Sequence, residues 1–108
     1  MRFYVLSKKI HERFLLVYEL QGCQKGVDFL TKHYGVKKMR IILNGRKVGN
    51  GDVAAYFQNR AYFTKKGLKK RTLLHEFYHH ILSSKGYELR ERIEEMKANA
   101  YANRFLKV

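Results

Sequence analysis

Apolar positions along the chain keep two rhythms. Residues 2–6, RFYVL, are a short apolar run that reads as a strand or as the lead-in to a helix. From there Ile10, Phe14, Val17 and Tyr18 recur three or four apart, one face of a helix, with Ser7 as its N-cap and Gly22 weakening its end. A second helix is expected over residues 24–34, with Val27, Phe29, Leu30 and Tyr34 apolar and Gly35 where a C-terminal cap belongs. Residues 38–43, KMRIIL, read as a strand closed by the turn signal Asn44-Gly45, followed by the loop GRKVGNGD. VAAYFQ and RAYFT then form two strand-like runs around Gln58-Asn59-Arg60, a hairpin, and Lys65-Lys66-Gly67 ends that unit. Helical spacing resumes over residues 68–84, breaks at Gly86, and returns over residues 87–105. The order of helix, helix, three strands, helix, helix predicts an α+β domain spanning residues 1–108, a small three-stranded sheet packed on helices.

Charge modifies this picture more than length does. The chain has 23 lysines and arginines against 9 acidic residues, a net charge of +14 with neutral histidines. Such an excess favours polyanionic partners and solubility, and says nothing about the fold. The basic run KKGLKKR at residues 65–71 reads first as a solvated face and helix start, and second as a selector of acidic substrates or phosphate backbones. Tyr56, Phe57, Tyr62 and Phe63 interleave nearby, but they alternate as strand residues do. The single cysteine, Cys23, excludes an internal disulfide and fits a reducing compartment. The longest apolar run, residues 14–18, is far below the roughly 18 residues of a membrane span, and the N-terminus lacks the pattern of a secretion signal. A cytoplasmic protein with no transmembrane segment is expected.

The chemistry concentrates in HEFYHH at residues 75–80. Positions i and i+4 share one face of a helix, so His75 and His79 can bring both imidazoles to one metal ion. Glu76 is rotated by about 100°, which suits a base beside the ion rather than a ligand. HExxH on a helix is for this reason a zinc signature. A third ligand is then needed. No histidine, cysteine or aspartate follows His80, which leaves Glu88, Glu91, Glu94 and Glu95. On a helical wheel Glu95 shares its face with Ala98, Asn99, Ala102 and Leu106, and two alanines one turn apart permit the close helix approach that a ligating carboxylate requires. Glu95 is the expected ligand, with Glu91 at the edge of the same face as the fallback; Glu94 points about 100° away, toward Tyr101 and Phe105. Asn99, one turn after Glu95, can accept a hydrogen bond from the non-ligating N–H of a zinc histidine, or make a plain polar contact between helices.

HEFYH followed by Glu95-Met96-Lys97-Ala98-Asn99 resembles the gluzincin pattern, HExxH and then E-x-x-A-N/D on a "glutamate helix". Among gluzincins a chain this short is similar to the archaeal minigluzincins, minimal single-domain versions of the catalytic domains of integral-membrane metallopeptidases. Small proteases related to phage-repressor processing share a similar E-x-x-A-N tail. The motif-bearing likeness covers about residues 53–106; the first fifty residues match by element order alone. It implies a zincin-like fold with an active-site helix and a C-terminal glutamate helix. It also implies one zinc ion on His75, His79 and Glu95, Glu76 as catalytic base, and Asn99 behind the ligands.

The implied activity is endopeptidase hydrolysis of a peptide or protein substrate by a zinc-bound water that Glu76 deprotonates. The substrate is expected to add as a strand to the sheet edge formed by Arg60, Ala61, Tyr62, Phe63 and Thr64. The oxyanion donor is open between His80, Tyr62 and none. The chain runs only 13 residues beyond Glu95, to Val108, so the domain that usually supplies that donor is not expected. A latent or weakly active zymogen, with self-association covering the cleft, follows as an expectation. The competing reading is a basic nucleic-acid-associated binding module in which zinc is structural or the site degenerate.

Overall fold

The computed structural model describes residues 8–49 and 51–107. The strand or lead-in expected at residues 2–6 and the Ser7 cap lie outside them. Two helices open the described chain, α1 (Lys8–Gln21) and α2 (Cys23–Tyr34). They fold back on each other through Gly22 and bury Phe14, Val27 and Leu30. Gly35 closes α2 in the left-handed conformation, as its position predicted.

Three strands follow: β1 (Arg40–Leu43), β2 (Ala54–Phe57) and β3 (Arg60–Phe63). The predicted loop after β1 contains one 3₁₀ turn, Gly45–Lys47, whose start is capped by the Asn44 side chain accepting from Arg46 N. β2 and β3 form a hairpin whose two-residue turn, Gln58-Asn59, has positive φ at both positions, 45° and 65°. Such a primed turn matches the right-handed twist of the strands it joins.

The sheet order is β1-β3-β2, with β1 parallel and β2 antiparallel to β3. This corrects the expected substrate edge. Residues Arg60, Ala61, Tyr62 and Phe63 form the central strand, paired on both sides, and Thr64 N–H bonds to Val53 O. The cause is the hairpin: it folds β3 back between its two neighbours, where Ala61 and Phe63 become core. One of the two remaining edges is occupied. The Gln24 amide on α2 donates to Met39 O and accepts from Ile41 N, both at 2.9 Å, and so takes the hydrogen bonds a fourth strand would make to β1. The outer edge of β2 is left.

Two helices complete the domain, α3 (Lys70–Lys85) and α4 (Glu91–Lys107). α3 starts two residues later than its periodicity suggested. A Cβ on Gly67 would stand 2.2 Å from Val53 O, so the chain passes that strand end as a turn, and the helix begins only beyond it. The Thr72 hydroxyl then ties the first turn of α3 to Lys69 N–H and to Gly67 O. α4 begins at Glu91 rather than at residue 87, because Gly86 ends α3 in the left-handed conformation and residues 87–90 carry the reversal. α3 is buried on most of its surface. Leu73, Leu74, Phe77, Tyr78, Ile81 and Leu82 pack into one core with Phe14, Leu30, Met39, Phe63, Ala98, Tyr101 and Phe105. Over the described residues an α+β domain of four α-helices and a small mixed sheet results.

Candidate metal centre

α3 and α4 run antiparallel and meet through a ladder of polar rungs. Arg71 Nε donates to Asn103 Oδ1 at 2.9 Å, His75 Nδ1 to Asn99 Oδ1 at 2.8 Å, and His79 Nδ1 pairs with Glu94 Oε2. Each rung follows from one-turn spacing on both helices: residues 71, 75 and 79 on α3 against 103, 99 and the 94–95 pair on α4. Ala98 and Ala102, both fully buried, allow the close approach that the sequence suggested.

The outer ring nitrogens being engaged, the two Nε2 atoms turn toward each other, 3.3 Å apart. Glu95 reaches both of them, Oε2 to His75 Nε2 at 2.9 Å and Oε1 to His79 Nε2 at 3.0 Å. His75, His79 and Glu95 thus form a group that can hold a metal ion, with one ligand atom from each residue and all three within 4.8 Å of one another. Ligand atoms about 2.0–2.1 Å from a tetrahedral ion stand about 3.3 Å apart, the spacing the two imidazoles already have. Burial holds the His75 imidazole below the ordinary histidine value, outweighing the nearby Glu95 carboxylate. A neutral ring is the form that ligates.

Glu76 lies beside this group, its Oε2 3.7 Å from His75 Nε2, and is only 6 % exposed. Burial lifts its carboxyl to about 7, with His79 pulling the other way and Glu95 and Asp52 adding to the rise. It is therefore poised to give or take a proton near neutrality. The three ligands and Glu76 open onto a cleft of about 830 Å³. One wall is β2 with the residues leading into it, and the other is the start of α4. In an antiparallel ladder successive residues bond to opposite sides. Val53 O accepts from Thr64 N–H, just past β3, so the backbone of Ala54 and Tyr56 is directed to the free edge.

His75, Glu76, His79, Glu95 and Asn99 are all brought together as expected. The fallback ligand Glu91 lines the cleft, away from the three-ligand group. His80 is not available as an oxyanion donor. It is fully buried, with Nδ1 accepting from Tyr56 O–H at 2.8 Å and Nε2 donating to Lys37 O. Tyr62 sits on the central strand and is not part of the cleft lining.

Glu94 was missed as the partner of His79. The wheel that separates it from Glu95 also held the clue, because the two nitrogens of an imidazole point in different directions. A carboxylate one residue away from the ligating one is suitably placed for the outer nitrogen. Asn103, which holds Arg71, announced itself only as the next rung after Asn99.

Among the described residues no helix is long and apolar enough to cross a membrane. Comparison of the chain with known protein families, with curated proteins and with solved structures finds no match.

Proposed function

We propose that the protein is a zinc-dependent metallopeptidase. The observation that carries this reading is the convergence of two imidazole Nε2 atoms and the Glu95 carboxylate beside a buried glutamate that is not a ligand. Two histidines and a carboxylate with room for a further group are a catalytic rather than a structural zinc set, since structural sites are cysteine-rich and closed. The same donor set suits ferrous iron, and metal content distinguishes the two.

A bound zinc ion would supply a Lewis acid that polarises the scissile carbonyl and makes water acidic enough to be deprotonated near neutral pH. The protein's own groups do the rest. Glu76 takes the proton of the attacking water and passes it to the leaving amine. Asn99 and Glu94 hold the imidazoles with Nε2 toward the cleft. The outward backbone of Ala54 and Tyr56 offers hydrogen bonds to an extended peptide, which would lie across the ligands as a fourth strand on β2.

The test pairs metal content with hydrolysis of an unstructured protein. Zinc-loaded wild type is expected to retain one ion and cleave. Glu76→Gln is expected to retain the ion and lose about 10²–10⁴ of the rate. A variant that cleaves as fast as wild type would remove Glu76 from the mechanism. Slow wild-type turnover agrees with a latent cleft, whereas brisk turnover by the monomer contradicts latency and leaves the peptidase assignment standing.

The second reading, a basic nucleic-acid-associated module, draws on one observation. Among the described residues, only Arg71 of the lysines and arginines lines the cleft, so the basic charge lies on the remaining surface. Its mark is salt-dependent DNA or RNA binding that Glu76→Gln leaves unchanged.

A further inference from the structure

The charge of this protein is unevenly spread. Six of its nine acidic residues line the cleft: Asp52, Glu76, Glu88, Glu91, Glu94 and Glu95. Arg71 is the only lysine or arginine among the described residues that faces them, and its Nε is already committed to Asn103. The basic run that precedes α3 turns elsewhere. Lys70 pairs with Glu19 at 2.6 Å and lies over the Tyr18 ring, and none of Lys65, Lys66 and Lys69 lines the cleft. A divalent ion together with Arg71 leaves the carboxylates in excess. A second observation points the same way. The outward backbone of Ala54 and Tyr56 opens onto the same cleft, so an extended peptide laid along that free edge meets these carboxylates.

We propose, resting on the peptidase reading above, that the cleft selects cationic substrates: extended peptides carrying lysine or arginine on either side of the bond presented to Glu76. Asp52, just before β2, lines one side of the cleft, and Glu88, in the reversal before α4, and Glu91, its first residue, line the other. A peptide paired along β2 turns every second side chain to the same face of the extended sheet, so residues on both sides of the bond pass these carboxylates. Low-dielectric walls focus the field of these carboxylates within the cleft, while the basic exterior is diluted by solvent and salt. The sequence-level idea that KKGLKKR recruits acidic substrates is thereby reversed.

The experiment uses zinc-loaded full-length Glu76→Gln protein and fluorescence anisotropy at physiological salt. Three labelled peptides share one apolar centre and carry lysine, serine or glutamate on both sides. The lysine peptide is expected to bind about fivefold or more tightly than the serine peptide, and the glutamate peptide most weakly. Each exposed carboxylate contributes about two- to fivefold. The triple variant Asp52→Asn, Glu88→Gln, Glu91→Gln, all at exposed positions outside the ligand set, is expected to abolish the ranking and keep the zinc. Equal binding of the three peptides, or preference for glutamate, overturns the proposal. Wild type separates the two claims. If it binds the lysine peptide selectively but never cuts it, the peptidase reading fails and the selectivity stands. If it cuts the serine and glutamate peptides as readily, the selectivity fails and the peptidase stands. No binding of any peptide removes both.

Discussion

His75 donates from Nδ1 to Asn99 Oδ1 at 2.8 Å across the α3–α4 seam, and this bond decides which ring nitrogen faces the cleft. Were the proton on Nε2, the nitrogen nearest Glu95 would have no lone pair for an ion. Asn99→Ala should therefore weaken metal affinity by about 10–100-fold while the ratio stays at one ion per chain. Asn99→Asp, which keeps the acceptor, should restore most of the loss. Competition against a chelating dye measures both.

Glu94 and Glu95 are neighbours in sequence with different tasks, one on the outer nitrogen of His79 and the other on the inner nitrogens of both histidines. Glu95→Ala removes a ligand and should abolish tight binding. Glu94→Gln keeps a side chain that can still accept from Nδ1 and should lower affinity by about tenfold with the ratio unchanged. Native mass spectrometry of the two variants, with and without added zinc, separates the roles. Equal loss from both would mean that Glu94 is itself a ligand.

Local signals made most of the site legible. His75, Glu76 and His79 sit within one helical turn, so the spacing alone fixes their common face. Ala98 and Ala102 marked the side of α4 that approaches α3, and that side selected Glu95. What the sequence withheld depends on contacts across the chain. β3 lies between β1 and β2 because of the hairpin's return path, which strand composition does not encode. Gln24 occupies the β1 edge through a side chain that looks like any polar residue of a helix. The acidity of the cleft was hidden by the overall charge, because Asp52 and the glutamates of α4 come together only after folding.

The raised carboxyl of Glu76 has a consequence for stability. Its folded value is about 7 against an ordinary 4.5, so the folded protein binds this proton more tightly than the unfolded chain. Its contribution is most favourable below the unfolded value and is lost as pH rises toward 7, costing about 2–3 kcal/mol above that point. In chelator-treated protein, Glu76→Gln should then exceed wild type in stability at pH 8 by about 2–3 kcal/mol, and the gap should close near pH 4. Urea unfolding at the two pH values reads the difference directly. A constant gap would mean that the carboxyl titrates normally. Adding zinc should shrink the gap at pH 8, because the ion compensates the buried charge.

His80 offers the sharpest contrast with its neighbour His79. One residue further along α3 turns the ring from the cleft into the core. There it joins Lys37 O, ahead of β1, to Tyr56 O–H on β2, and that hydroxyl in turn accepts from Asn59 N–H in the hairpin turn. His80→Ala would leave a cavity and strand the tyrosine hydroxyl and a backbone carbonyl. It should cost about 3 kcal/mol and lower Tm by about 10–20 °C. Tyr56→Phe, which removes one oxygen, should cost about 1 kcal/mol. Burial also holds His80 below the ordinary histidine value, despite the opposing pull of Lys37 O. Its contribution is thus complete above about pH 6.5 and declines on acidification, as the unfolded chain takes up the proton first. Thermal melts at pH 7.5 and pH 5 should therefore show a smaller difference between wild type and His80→Ala at the lower pH. If His80 served the reaction instead, the variant would keep its Tm and lose turnover, and the buried network would have to be abandoned as its role.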